Sequence, residues 1–173
     1  CDSNNYISYF FNGIKKKSNI QNIGNINVED NPLLKENSKD FSFVKSFGSD
    51  YIIDEGIYEI NNPIFIKGDL TLKPGSKLKF AQNAFLIVEG NINVNGNKEK
   101  QIVFTSLEEG QTWKGIYVFN NSILKNKKSI INFLKIENVS ELDTGILDLT
   151  GGINFYNLNL DIDNLEIINS KAE

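Results

Sequence analysis

Three short apolar runs, recurring in fixed order along the second half of the chain, predict an all-β fold: a right-handed parallel β-helix of about four rungs behind a short N-terminal helix or arm. Two further observations agree. The runs have strand length and alternate apolar with polar residues, and the breaks between them carry Gly, Pro and Asn instead of helix-length segments. The expected organisation is an anchor, short helix and linker over residues 1–40, then the parallel β-helix over 41–173.

From Asp2 to Ser18 the pattern differs from everything downstream. Ile7, Phe10, Phe11 and Ile14 fall at i, i+3, i+4 and i+7, with Asp2 or Ser3 as N-cap and Lys15, Lys16 and Lys17 near the C-terminus, so a short amphipathic helix is expected. It would cover the open end of a sheet stack or lie on a membrane surface. Residues 19–39 are rich in Asn, Ser and charge without a sustained period and read as a linker. From Phe41 onward β-branched and aromatic residues alternate with polar ones.

One turn reads Ile64-Phe65-Ile66, Leu70-Thr71-Leu72, Leu78-Lys79-Phe80; the next reads Phe85 to Val88, Ile92-Asn93-Val94, Ile102-Val103-Phe104. A third supplies Gly115 to Val118 and Leu134-Lys135-Ile136 to the first and third columns. A fourth supplies Gly145 to Leu149, Ile153-Asn154-Phe155 and Leu165-Glu166-Ile167. Steps within a column run from about 21 to about 32 residues, the period of stacked repeats. One such turn cannot fold alone. Ordering costs roughly 1 to 2 kcal/mol per residue, whereas each inward side chain returns only about 1.5 to 3 kcal/mol. Stacking supplies the difference by pairing every strand above and below.

The corners fit this arrangement. Pro74-Gly75, Glu89-Gly90, Asn95-Gly96 and Gly151-Gly152 mark tight turns. Short corners without hairpin signals between neighbouring runs favour parallel joining over a sandwich. Ser106, Asn138 and Asn169 each follow the third column by two positions, as members of a hydrogen-bonded ladder would.

Composition removes several functions. The 173 residues carry a net charge of −4, with no His and no Met, and every basic residue is Lys. A nucleic-acid partner is not expected, because its binding surface needs a basic excess. No stretch approaches the roughly 18 consecutive apolar residues of a spanning helix, so membrane association would rest on an anchor. The commonest general base and the usual zinc ligand are missing with His. The only cysteine is Cys1, which rules out an internal disulfide and a Cys-based metal cluster. A Cys at the first position, in a chain that does not open on Met, is what a mature bacterial lipoprotein shows; Cys1 is therefore the candidate site of lipid attachment.

The stretch from Ile57 to Glu173 resembles bacterial right-handed parallel β-helix repeat proteins of the cell envelope. The resemblance is carried by L-K-P-G-S-K-L-K-F at 72–80, V-E-G-N-I-N-V-N-G at 88–96, I-V-F-T-S at 102–106, W-K-G-I-Y-V at 113–118 and L-T-G-G-I-N-F-Y at 149–156. It implies an extracytoplasmic location and further rungs beyond Glu173. In that group such segments sometimes follow a CotH-like kinase-related domain, but no kinase-like motif occurs in this sequence. Pectate-lyase-type members of the same architecture use an Arg base with calcium bound by acidic residues. This chain has no Arg.

Two function classes remain. The first is a non-catalytic extracytoplasmic scaffold or surface-interaction module, with polysaccharide or another envelope protein as partner. Trp113, Tyr117 and Tyr156 are its candidate glycan-stacking residues, although a buried Trp113 would serve the core instead. The second is a carbohydrate-active enzyme, a polysaccharide lyase or glycoside hydrolase, using a Lys such as Lys114 or Lys135, or a carboxylate pair. Asp161 and Asp163 share one face of an extended segment, and with Asp143 and Asp148 on a preceding turn they make a candidate calcium site. No other cofactor is expected.

Overall fold

The structure, a computed structural model, describes residues 6–11, 14–19, 35–120, 127–143 and 148–172, with side chains from Lys35 onward except at Asp143, Asp148 and Leu149. The chain divides into two compact units, Cys1–Leu33 and Leu34–Glu173. No helix among the described residues is long and apolar enough to cross a membrane.

In the first unit, β1 (Tyr6–Phe11) pairs antiparallel with β2 (Ile14–Asn19), and Phe11 stands opposite Ile14. The helix expected here is corrected to a hairpin. Asn12-Gly13 separates the two runs, and a two-residue Asn-Gly break is a strong hairpin signal. Tyr, Ile and Phe around it also lose side-chain freedom in a helix and favour strands.

Among its described residues the second unit is all β apart from one turn of 3-10 helix at Ser38–Asp40. It opens with β3 (Val44–Phe47), β4 (Asp50–Ile53) and β5 (Gly56–Ile60). Next come β6 (Ile64–Lys67), β7 (Asp69–Leu72) and β8 (Ser76–Phe80), then β9 (Leu86–Glu89), β10 (Ile92–Asn95) and β11 (Ile102–Ser106). The last group is β12 (Ile116–Phe119), β13 (Ser129–Glu137), β14 (Leu142–Asp143), β15 (Asp148–Leu149), β16 (Ile153–Tyr156) and β17 (Leu160–Ile168).

Sequential neighbours from β4 to β13 do not pair. Instead β6, β9, β12 and β16 form one parallel ladder, β4, β7, β10 and β13 a second, and β5, β8, β11 and β13 a third. β13 belongs to two ladders because its first half pairs with β10 and its second half with β11. β17 follows it along both halves. Parallel pairs need long crossovers, and the intervening strands provide them. Among the described residues of this unit only β3 on β4 and β14 on β15 are antiparallel.

The register lines up apolar residues. Ile53, Leu72, Val94, Ile131 and Ile162 occupy equivalent positions on successive strands, as do Tyr58, Leu78, Phe104, Ile136 and Ile167. Ile64, Leu86, Ile116 and Ile153 form a third series. The interior members of these series are buried. A one-residue slip would turn each series to the outside, so burial fixes the register.

Two expected positions are corrected. Ile153-Asn154-Phe155 continues the first column on β12, not the second, and the second column continues through the first halves of β13 and β17. The segment Gly145 to Leu149 joins no parallel ladder among the described residues; its Asp148 and Leu149 pair with Asp143 and Leu142.

Candidate surface groove

Strands of the first column read apolar at three successive positions, and all three are buried in each of β6, β9 and β12. Both faces of this sheet are therefore covered, the usual reason for a continuous apolar run. Tyr117, expected to stand outward as glycan-stacking area, is only 4% exposed. Its hydroxyl donates to the Lys114 carbonyl, its ring meets Phe85 edge-on, and burial pushes its pKa up. Trp113 is fully buried and stacked on Phe80, so its ring belongs to the core and not to a sugar platform. Of the three aromatic candidates, Tyr156 alone reaches the surface, at 40% exposure.

The second ladder is different. Outward from β4, β7 and β10 point Ile52, Thr71 and Asn93, in register. Beside them lies a groove of about 340 Å³, walled by Asp50, Asp69 and Asn91 on one side of the row and by Lys127 and Lys128. Asp50 and Asp69 are register partners. Lys127 Nζ donates to Asp69 Oδ2 at 2.7 Å. Asp69 Oδ1 accepts from the Asn91 backbone N–H at 2.8 Å and from Asn91 Nδ2 at 3.0 Å. Asn91 Oδ1 is buried without a hydrogen-bond partner among the described residues.

These bonds fix the charges. Burial alone would raise the Asp69 pKa, but the bonds from Lys127 and Asn91 outweigh it and hold the carboxyl below its usual range. Lys127 is held above its own usual value by its bond to Asp69 and by the Asp69 and Asp50 charges. Both groups stay ionised near neutrality, whereas a general acid or base needs a pKa near the working pH. The groove thus presents fixed carboxylates, ammoniums, a hydroxyl and amides, a set that matches the hydroxyls of an extended polar ligand.

Asp69→Ala is expected to cost about 1–3 kcal/mol at neutral pH by leaving the Asn91 donors unpaired. Because the folded-state carboxyl titrates below its unfolded value of about 3.9, its contribution is complete above that value and is lost as pH falls through the folded one. Urea denaturation at a series of pH values should show the unmodified protein losing more stability than Asp69→Ala between about pH 5 and pH 2. Parallel curves would contradict this.

The other candidate residues are dispersed. Asp161 and Asp163 lie opposite Ile130 and Asn132 on β13, while Asp143 and Asp148 oppose each other in a separate two-stranded sheet. Asp161 is held by Lys128 at 2.8 Å. Among the described residues no group of three or more His, Cys, Asp and Glu gathers as a metal site would. Lys135 contacts Glu137 at 2.6 Å, and that hydrogen bond raises its pKa, the opposite of what a lysine base requires. Lys114 Nζ donates to the Glu141 carbonyl at 3.2 Å. Cys1 lies outside the described residues.

Ser106, Asn138 and Asn169 do come together. Asn138 Nδ2 donates to Ser106 Oγ at 3.2 Å, and Asn169 Nδ2 donates to Asn138 Oδ1 at 3.3 Å. Both asparagines have left-handed backbones, with φ of 57° at Asn138 and 52° at Asn169, a conformation that Asn tolerates better than most residues. Asn138→Ala is expected to destabilise by about 2 kcal/mol through lost hydrogen bonds and backbone strain. Asn138→Gly should cost less because it retains the backbone freedom. Melting of the two variants separates the effects; equal losses would leave the left-handed backbone without a contribution.

The groove was not found from sequence, yet half of it was visible there. Gly68-Asp69-Leu70-Thr71-Leu72 and Gly90-Asn91-Ile92-Asn93-Val94 align position for position, which sets Asp69 beside Asn91 once strands stack. Nothing local announces Lys127 and Lys128, which reach the groove from the segment before β13. No protein-family model, curated protein or solved structure matches the chain.

Proposed function

We propose that the chain is a right-handed parallel β-helix module of a bacterial cell surface, a non-catalytic scaffold that binds an extended polysaccharide segment along the groove of Asp69, Asn93, Lys127 and Lys128. The observation that carries this is the Asp69–Lys127 pair, hydrogen-bonded at 2.7 Å within a groove lined by polar groups. The winding is supported by parallel pairing at one strand per turn on three ladders, and right-handedness by the near-universal hand of parallel crossovers. A lipid on Cys1 would tether the module outside the cytoplasm.

Backbone amide shifts during titration with an oligogalacturonate and with a neutral β-glucan oligosaccharide test the binding. Saturable shifts are expected at Asp69, Thr71, Asn91 and Asn93 with at least one of the two, and Lys128→Ala should weaken them about ten-fold. The absence of saturable shifts with both removes the glycan assignment. The competing enzyme reading predicts unsaturated or reducing-end products from the same sugars with or without calcium, and clear turnover would replace a scaffold by a catalyst. Mass spectrometry of the protein from its native host should find a diacylglycerol adduct on Cys1; an unmodified thiol there would remove the anchor.

A further inference from the structure

Carboxylates outnumber ammoniums at the groove of the second ladder. Lys127 Nζ is held by Asp69 at 2.7 Å and Lys128 Nζ by Asp161 at 2.8 Å. Asp161 flanks the groove, following Asn93 and Ile130 along one register row. Asp50 is the third carboxylate. It is exposed, stands beside Asp69 in the register, and its side chain has no hydrogen bond or ion pair among the described residues. Both lysines already have a carboxylate partner, so Asp50 leaves these groups with one negative charge in excess.

Hydrogen-bonding capacity is unequal in the same sense. An ionised carboxylate only accepts, so Asp50 offers acceptors and no donor. Asn91 lines the groove at 5% exposure, and its Oδ1 has no partner among the described residues. Thr71 and Asn93 can serve either way. The groove therefore has acceptors to match. A sugar hydroxyl brings a donor to them, whereas a uronate carboxylate brings further acceptors and a like charge.

We infer that the groove selects uncharged, hydroxyl-bearing glycans over uronate polymers and that Asp50 sets this preference; the inference rests on the groove being a glycan site. Asp69 and Asp161 are each occupied by a lysine. Asp50 has both oxygens available to accept from the hydroxyls of a neutral sugar, and its charge repels the carboxylate of an acidic one.

The test uses the full chain and two pairs of oligosaccharides of matched length, the members of each pair sharing their linkage and differing in charge. One pair is an oligogalacturonate and its methyl ester; the other is a neutral β-glucan oligosaccharide and the β-glucuronate oligosaccharide of the same linkage. Affinities are read from backbone amide shifts at low salt. In any pair that binds, the uncharged member should be at least about ten-fold tighter than its acid, and added salt should narrow the gap. Asp50→Asn should narrow it at low salt and Asp50→Lys should close or reverse it, with melting unchanged in both because the side chain is exposed and unpaired. An acid that binds as tightly as its uncharged partner, or more tightly, overturns the inference and leaves the groove a glycan site. A gap that persists in both Asp50 variants overturns it as well. Saturable binding of no member of either pair removes the glycan reading itself, and the selectivity with it.

Discussion

Replacing Trp113 by alanine is expected to cost about 3–5 kcal/mol, the range for deleting a large buried aromatic. The indole is fully buried, lies 4.2 Å from the Phe80 ring at an interplanar angle of 10°, and meets Phe104 edge-on at 6.4 Å. Its Nε1 donates to the Glu137 carbonyl at 2.8 Å. The backbone is held as firmly: Trp113 N–H donates to the Asn138 carbonyl, and the Trp113 carbonyl accepts from both the N–H and the hydroxyl of Ser140. The residue therefore fills the core and ties the segment before β12 to the end of β13. Trp113→Phe should cost less, about 1–3 kcal/mol, through the lost donor and reduced volume. Urea denaturation measures both variants. Since whole domains are stable by only about 5–15 kcal/mol, the alanine variant should be near its unfolding midpoint in mild denaturant; a loss below about 1 kcal/mol would contradict core burial.

Gly68→Ala is expected to destabilise by about 3 kcal/mol or more. Gly68 turns the chain from β6 to β7 at a φ of +152°, and a Cβ there would lie 2.0 Å from the Ser49 carbonyl oxygen. The obstruction is backbone, which cannot rotate away. Gly90, one turn later, is constrained by the same stacking, since its Cβ would approach the Gly68 carbonyl oxygen to 2.3 Å. Gly110 is the internal comparison: its φ is +77°, but no atom lies within 4 Å of an added Cβ. Gly110→Ala should therefore show only the left-handed backbone cost of about 1–2 kcal/mol. Similar melting temperatures for the two alanine variants would mean that the corners do not stack closely.

The strands from Ile64 to Phe104 are legible because each buried run is bounded by punctuation, whereas β3, β4 and β5 ahead of them are not. Pro74-Gly75 and Gly90 announce their corners, and the alternation of Leu70-Thr71-Leu72 or Leu78-Lys79-Phe80 names the inward face. Later turns lose that signal. β13 and β17 pass from one ladder to the next as continuous strands, each bending at a single left-handed residue, Phe133 at φ 50° and Asn164 at φ 53°. A phenylalanine gives no hint of a corner, so the sequence does not reveal the second-column half of β13 and its pattern places Ile153-Asn154-Phe155 in the second column instead of the first. The N-terminal hairpin was missed for the opposite reason: a helical spacing of apolar residues coexists with the Asn12-Gly13 signal, and the latter agrees with the strand preference of its neighbours. Tyr117 shows what alternation alone cannot tell. Ile-Tyr-Val at 116–118 is a continuous apolar run, and the covering of its outer face follows from that continuity, not from the tyrosine.

Strands of the third ladder stack in parallel and in register. Ile57, Lys77, Val103, Lys135 and Glu166 are register partners along one row, four strand spacings from end to end. At about 4.8 Å per spacing the two ends stand about 19 Å apart. Ile57 is 70% exposed and Glu166 is exposed as well, so both positions can carry nitroxide labels. Double electron–electron resonance on Ile57→Cys/Glu166→Cys, in a Cys1→Ser background, should give a single narrow distribution centred near about 20 Å. A broad distribution, or a centre beyond about 30 Å, would contradict the stacked parallel arrangement.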